Sequence, residues 1–462
     1  MNLKDLDQEI LNDSILSRLS SLAKREKAAF FLVGGYLRDL VLRKKRKDYD
    51  FALSREAISF IHTIEEALQL HFFRIGKEEE TTTFRIIKNE LTMDITLFQG
   101  KILEEDLRRR DFTMNYLAYS LRDGTWHWAE GALEDIEQRR IRAVSDRSFD
   151  LDPLRMLRAI RYVCTLGDFS MDRKLSEEIT SKMDLILRIP GERIKMELDQ
   201  ILLSTRRHAG LKILYETGLL ITLFPELKGL DYLVQDEHHH LDALSHTLLA
   251  LDKISWAIEW MSFKGFDLSL SQEDLICLGY AILFHDIGKQ NTYSKDEKGE
   301  VHFYHHKSFS CDAATRIMER LRFSNLLRDK VLHIIQNHMK ILNLSGETKE
   351  MALKRLIHQL GEETPLLVIH SLSDKEASRG VLSHQDDDVV ESHCLHLLEL
   401  FRQEEVVHPP PLITGNDVLA LGYLAGPRVG QIRNIIRQRQ VEGEIKTREE
   451  AIRMLREKFS LE

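Results

Sequence analysis

Strand-forming runs crowd the first third of this 462-residue chain, and almost everything after them reads as helix. Apolar stretches rich in aromatic and β-branched residues occur at 29–35 (AFFLVGG), 49–53 (YDFAL), 82–87 (TTFRII), 91–98 (LTMDITLF) and 125–129 (TWHWA). From Asp152 to Leu360 apolar residues recur at helical spacing, as in LRMLRAIRYV and ALKRLIHQL, with breaks near 189–191 and 229–237. A proline cluster at 408–411 marks a last linker before a C-terminal helical segment. The pattern predicts an α+β chain: a small mixed-sheet head, then helices, in about three units at roughly 100–200 residues each.

Other classes are excluded by composition. The longest near-continuous apolar run, Leu275 to Phe284, is about half of the roughly 20 residues a spanning helix needs, so no membrane is expected. The start MNLKDLDQEI lacks a signal-peptide core, and Cys164, Cys277, Cys311 and Cys394 form no CxxC pair; a reducing cytoplasm is expected. A net charge of −9 argues against a wholly basic nucleic-acid binder but leaves local patches open.

The richest chemistry lies in FLVGGYLRDLVLRKKRKDYDFAL, residues 31–53. A strand runs into Gly34-Gly35 and then an amphipathic helix, a turn that lets phosphate approach backbone N–H groups; a plain tight turn is the alternative. Asp48 and Asp50, at i and i+2 on a strand, face one spot and repel each other unless a cation separates them. Hard oxygen ligands suit Mg²⁺, which leaves positions for substrate phosphates. Asp94, alone among apolar neighbours, offers a third carboxylate or a solvent-facing acid. The basic run at 43–47 suits either RNA or solvent.

These residues resemble the class II tRNA nucleotidyltransferases and bacterial poly(A) polymerases of the polymerase β superfamily. The pattern GGxVRD…DxD is met by Gly34-Gly35-Tyr36-Leu37-Arg38-Asp39 and Asp48-Tyr49-Asp50. The block RRDFTxNA is met by Arg109 to Tyr116, with Tyr116 for the usual Ala. Gly131 to Ile136, Ile141 to Val144, the EDxxR element at Leu151 to Arg155, Glu192 to Ile194 and Leu412 to Gly430 extend the likeness over nearly the whole chain. The resemblance implies a polymerase-β-like head at 1–146, a neck that reads the base and binds RNA at 147–230, an HD domain at 231–385 and a tRNA-binding arm at 386–462. It implies catalytic Asp48, Asp50 and Asp94 with Mg²⁺, and nucleotide contacts from Gly34, Gly35, Arg38, Arg110, Asp111, Asn115, Asp152, Arg155 and Arg158. The implied activity adds CMP and/or AMP from CTP and ATP to tRNA 3′ ends.

Base choice follows from donor and acceptor geometry. Asp152 and Arg155, at i and i+3, are expected to be neighbours on one helix face, where an acceptor and a donor read cytosine or adenine, while uracil and guanine oppose both groups. The alternative is a surface ion pair. Two departures from the family stand out: Leu151 replaces its acidic residue, and only LFQGKILEED joins the Asp94 strand to the RRDFT block, as in CC-adding or otherwise specialised relatives.

Ten of the 20 histidines fall between 236 and 340. His246, His285-Asp286, His306, His338 and Asp374 stand in the order of an HD domain, whose imidazoles and carboxylates hold Mg²⁺ or a divalent transition metal such as Mn²⁺, Ni²⁺ or Fe. His238, His239, His240 and His305 read as solvated surface. At 426–462, Arg428, Arg433, Arg437 and Arg439 suggest a cationic helix face for RNA, or a solvated one. The chain is thus expected to be a tRNA nucleotidyltransferase. Its rivals are a poly(A) polymerase, a partial CC- or A-adding enzyme, and an HD phosphohydrolase with an RNA-binding head.

Overall fold

The computed structural model describes all residues except 1–2, 46–47, 76–81, 89–90, 234–240, 345–347, 349, 380–386, 404–406, 408–409, 442–443 and 459–462. His238, His239 and His240 therefore lie outside the described residues. Two compact units emerge: Met1–Ile201 with Ile213–Leu223, and Leu202–Lys212 with Phe224–Glu462.

The first unit is built on a seven-stranded sheet in the order β3-β4-β5-β2-β1-β6-β7. Its strands are β1 (Phe30–Val33), β2 (Asp48–Leu53), β3 (Phe73–Ile75), β4 (Thr83–Lys88), β5 (Leu91–Leu97), β6 (Leu117–Ser120) and β7 (Trp126–Trp128). β1 carries four consecutive buried apolar residues, which suits a strand covered on both faces. β2 is different: Phe51, Ala52 and Leu53 are buried while Asp48 is exposed, so the strand runs from the core out to a polar edge. Phe30 stacks on Phe51 with ring centroids 4.7 Å apart and meets Phe60 edge-on at 5.3 Å, pinning the buried end.

All five predicted strands are present, but two were hidden. β6 reads LAYS, too short to signal itself, yet it pairs with β1 on one side and with the edge strand β7 on the other. β3 has every residue exposed and exists only because it pairs with β4. The sequence expectation that strands are confined to the first third is corrected by two small sheets. Arg140–Ile141 (β8) pairs with Ser170–Met171 (β9), and Tyr293–Lys295 (β10) with Val301–Phe303 (β11). The second of these is a hairpin whose turn is closed by Asp296, with its carboxylate accepting from the Lys298 and Glu300 N–H groups.

The second unit is helical. The Ala243–Phe263 helix packs most extensively against Thr364–Ser378, and the Gln272–Phe284 helix against Asn325–Asn337. Asp242 caps the first of these through the Ser245 N–H, and Ser271 with Asp274 forms a capping box on the third. Gly288 permits the closest approach in this bundle: a Cβ there would fall 2.1 Å from the His306 carbonyl oxygen and 2.7 Å from the Ser310 nitrogen. No described helix is long and apolar enough to cross a membrane.

In the C-terminal segment, Arg428, Arg433, Arg437 and Arg439 lie on the Pro427–Val441 helix. They do not form one face, which corrects the sequence expectation. Ile432 and Ile436 are buried between them, leaving Arg433 and Arg437 on one flank of the apolar stripe and Arg428 and Arg439 on the other.

Candidate active site and metal centre

A cavity of about 650 Å³ opens in the first unit where β1 and β2 give way to loop and helix. Asp48 and Asp50 line it together with Gly34, Gly35, Arg38, Arg110, Asp111, Asn115, Arg155 and Arg158. Strand alternation sends Asp48 and Asp50 to one face and Tyr49 to the other, where its hydroxyl donates to Asp13 at 2.8 Å and its ring stacks on Tyr36 at 5.3 Å. Burial pushes the Asp50 carboxyl above the ordinary carboxylate range; Arg110 opposes that rise, and Asp94 and Asp48 add to it. Crowded carboxylates of this kind fit a divalent cation with oxygen ligands.

Asp94 is the cross-strand partner of Asp50 in the parallel pairing of β2 with β5. It does not line the cavity, because Arg85 on β4 grips it through two hydrogen bonds of 2.7 and 2.6 Å.

Gly34 is required by its backbone, and a side chain there would also push Arg110 aside. Its φ of +68° belongs to the region that favours glycine, and a Cβ would sit 2.8 Å from Arg110 Nη1. The floor is a buried polar network. Arg38 Nη1 donates to Asn115 Oδ1 at 2.9 Å; Asn115 Nδ2 donates to Asp111 Oδ1 at 2.9 Å; Arg158 pairs with Asp111 Oδ2 at 2.9 Å. Burial alone would raise the Asp111 carboxyl, but Arg158, Asn115 and the Phe112 N–H hold it below its ordinary value. Arg38, Arg158 and Arg161 crowd the Tyr162 ring, at 5.2, 5.9 and 4.6 Å from its centroid.

Arg161 and Tyr162 were missed at the sequence level although the signal existed. Arg155, Arg158 and Arg161 recur every three residues and so stripe one side of the Arg155–Thr165 helix. The basic run divides: Arg43 pairs with Glu9, Lys44 and Lys45 line the cavity, and residues 46–47 lie outside the described set. A net-negative chain thus gathers arginines and lysines around one hollow, a field that attracts anions.

The expected Asp152–Arg155 helix pair is not formed. Asp152 precedes the helix with an extended backbone, φ −148° and ψ 101°. Its carboxylate accepts from the Leu154 N–H at 3.2 Å and pairs with Arg193 at 3.1 Å, and it does not line the cavity. Arg155 turns the other way, donating to Ser148 Oγ at 3.0 Å, to the Arg110 and Ser148 carbonyls at 3.3 Å, and to the Arg109 carbonyl. Pro153 breaks helical continuity between the two residues. The support denied by Leu151, which is 59% exposed, comes to Arg155 from Ser148 and these carbonyls.

In the second unit the six predicted ligands converge, all of them buried. His246, His285 and Asp374 form one group of three and Asp286, His306 and His338 another, ligand atoms within 4.8 Å in each. His285 joins the groups, its Nε2 lying 3.2 Å from Asp286 and 3.3 Å from Asp374. The Nδ1 atoms of His285, His306 and His338 reach the carbonyls of Ile282, Phe303 and Ile335 at 2.7, 2.9 and 2.7 Å. A carbonyl only accepts, so each Nδ1 carries a proton and each Nε2 faces the cluster. His306 Nε2 and His338 Nε2 stand 3.1 Å apart. Burial, helped by the charge on His285, presses His338 down to about 3, so two lone pairs point at each other in the neutral state. Burial also works against His285, yet Asp286 and Asp374 push it up to about 10. The donor set fits a divalent cation, whose charge would satisfy lone pairs and carboxylates together.

His370 was missed. It is fully buried four residues before Asp374 on the Thr364–Ser378 helix, and that i, i+4 His/Asp spacing was its only signal. Lys289, 2.7 Å from Asp286, was also passed over. His305, expected at the surface, is exposed. The four cysteines are free, and burial pushes Cys277 and Cys394 up to about 12.

Comparison with known proteins agrees with this anatomy. Three family models match: the Poly A polymerase head domain at residues 30–142, the probable RNA and SrmB-binding site of polymerase A at 168–230, and the HD domain at 244–389. The class is therefore a nucleotidyltransferase head joined to an HD body. A CC-adding tRNA nucleotidyltransferase of Thermus thermophilus is 33% identical over 437 residues, covering 91% of this chain and 92% of the relative. An A-adding tRNA nucleotidyltransferase of Deinococcus radiodurans is 30% identical over 428 residues, covering 91% and 93%. The chain belongs to the tRNA nucleotidyltransferase family, a family of enzymes. Its fold is shared with a CCA-adding enzyme solved with CTP (TM-score 0.66, 18% identity, 98% of each chain). A Thermotoga maritima CCA-adding enzyme complexed with tRNA shares it too (TM-score 0.62, 18% identity, 100% and 99%).

Proposed function

We propose that this protein adds CMP and/or AMP, taken from CTP or ATP, to tRNA 3′ ends in the cytoplasm. The observation that carries this reading is the placement of Asp48 and Asp50 on one face of β2 at the edge of an arginine-lined cavity of about 650 Å³, a size that suits a nucleoside triphosphate. Asp48 and Asp50 hold Mg²⁺, with Asp94 as the third carboxylate once Arg85 releases it. A Mg²⁺ ion held there would supply activation of a 3′-hydroxyl and charge neutralisation at a triphosphate. The chain's own residues bind and orient. Arg38, Arg110 and Arg158 meet the phosphates, since a planar guanidinium presents two parallel donors. Gly34 and Gly35 keep side chains out of the triphosphate's path; Asp111 and Asn115 fix those arginines and contact the sugar. Arg155, braced by Ser148, and Asp152, once freed from Arg193, read the base edge.

The division of labour follows: head at 1–146, base-reading and RNA-binding neck at 147–230, HD body at 231–385 holding a divalent transition metal or Mg²⁺ on the six converging ligands, and tRNA-binding arm at 386–462. One observation favours a partial enzyme. The connection from β5 to the Leu103–Arg108 helix is short and tightly packed, with no room for a Cβ at Gly100 beside Glu105, and relatives at this level of identity are named both CC-adding and A-adding.

The test offers tRNA transcripts that are complete, lack the terminal A, or lack the whole CCA end, each with a single labelled nucleotide. Extension of one class only identifies a CC- or A-adding enzyme, extension of both incomplete classes a full CCA enzyme. Long A tails on unrelated RNA identify a poly(A) polymerase. Incorporation that survives Asp48→Ala defeats the proposal.

A further inference from the structure

His370 is buried in the HD body with 0% exposure, and neither of its ring nitrogens has a hydrogen-bond partner. A buried polar group left without a partner costs about 1–3 kcal/mol, so native interiors rarely keep one for nothing. The other histidines here show the contrast. His285, His306 and His338 each commit Nδ1 to a backbone carbonyl three residues back, and His246 is bonded to Asp374 at 2.7 Å. His370 is tied to nothing, so both of its nitrogens are available.

Its position is equally specific. The ring centroid lies 5.1 Å from that of His285, a member of the first group of three, and 5.7 Å from that of His338, a member of the second. Along the helix it stands one turn before Asp374, whose carboxylate already accepts from His246. His370 thus packs its ring against one histidine of each group of donors.

We propose that His370 is a further ligand of the ion in the body, and that the resulting set of five imidazoles and two carboxylates selects a nitrogen-preferring divalent transition ion over Mg²⁺. The inference rests on reading the body as a metal centre and deepens it by naming the class of ion. Imidazole suits iron, cobalt, nickel and zinc, whereas Mg²⁺ demands oxygen ligands in a rigid octahedron and gives up its water reluctantly. Adding a nitrogen donor between the two groups moves the site away from Mg²⁺.

The experiment uses full-length protein stripped with chelator and titrated with Co²⁺ in excess Mg²⁺, so that the head carboxylates are occupied. Binding is read by equilibrium dialysis and by the visible absorption bands of bound Co²⁺. Wild type is expected to take up Co²⁺ against Mg²⁺. His370→Leu and His370→Gln are expected to weaken that uptake at least about tenfold and shift the bands, while circular dichroism and a cooperative melt confirm the fold. His285→Ala separates the two layers of the argument. If it leaves Co²⁺ uptake intact, the body is no metal centre and that reading fails. If it abolishes uptake while both His370 variants bind Co²⁺ with wild-type affinity and spectrum, the assignment of His370 is overturned. A packing role alone would let His370→Leu change the melting temperature without changing Co²⁺ affinity. Displacement of Co²⁺ by equimolar Mg²⁺ in wild type would overturn the selectivity.

Discussion

Arg85 holds Asp94 by a two-point ion pair, at 2.7 and 2.6 Å, directly across the sheet from Asp50. A cation of the chain itself is therefore parked on the carboxylate that sequence patterning marks as a third metal ligand. Removing it should favour the external cation. Arg85→Met is expected to lower, several-fold, the Mg²⁺ concentration needed for half-maximal nucleotide incorporation, and Asp94→Asn to raise it. Mg²⁺ titrations of initial rate decide the matter; an unchanged midpoint in both variants would remove Asp94 from the site.

The head and the body are predicted to fail independently. Asp48→Ala or Asp50→Ala should cut incorporation by at least about a thousandfold, the scale expected when metal activation of a nucleophile is lost. Co²⁺ uptake by the body should persist in both. His285→Ala should reverse the pattern.

Base selection is predicted to depend on Asp152 more than folding does, because that carboxylate is only partly buried and precedes its helix. Asp152→Ala is expected to raise the kcat/KM for UTP relative to CTP at least about tenfold, about 1.4 kcal/mol of lost discrimination, with little change in melting temperature. Arg155→Lys should fare worse in stability, since a single ammonium cannot span Ser148 and the carbonyls of Arg109 and Arg110.

Asp111 ties stability to acid. Its folded carboxyl lies below the unfolded value, so its contribution is fully present above the unfolded value of about 4 and is lost as pH falls through the folded one. Asp111→Asn leaves Arg158 without its buried counter-charge and is expected to cost about 3 kcal/mol at neutral pH. Denaturant melts of the two proteins at pH 7 and pH 3 should converge toward the acid end.

The body should release protons when it takes up metal. His285 is raised above its unfolded value near 6.5 to about 10, so in the metal-free protein it stabilises the fold fully below about 6.5, and that contribution is lost as pH rises toward 10. At pH 7 an incoming ion must displace this proton. Calorimetric titrations in buffers of different ionisation enthalpy are expected to show about one proton released per chain from His285, with affinity rising from pH 6 to pH 9.

Much of this protein is determined by its sequence alone. Asp48 and Asp50 share a face because strands have a period of two, and the fully apolar FFLV run had to be a covered strand. The resemblance to an HD domain, not periodicity, picked out its six ligands, and of these His285, Asp286 and His338 lie just past helix ends. Other features belonged to the tertiary structure, because they depend on partners distant in the chain. β3 and β6 exist through pairing, not through their own residues. Asp152 and Arg155 looked like helical neighbours, but Pro153 separates them, and Arg193 and Ser148 claim one each. Arg85 on Asp94, and His370 between two groups of ligands, follow from register and packing that no spacing rule reports. Periodicity fixes which way a side chain points along its own element; only the folded chain fixes what it meets there.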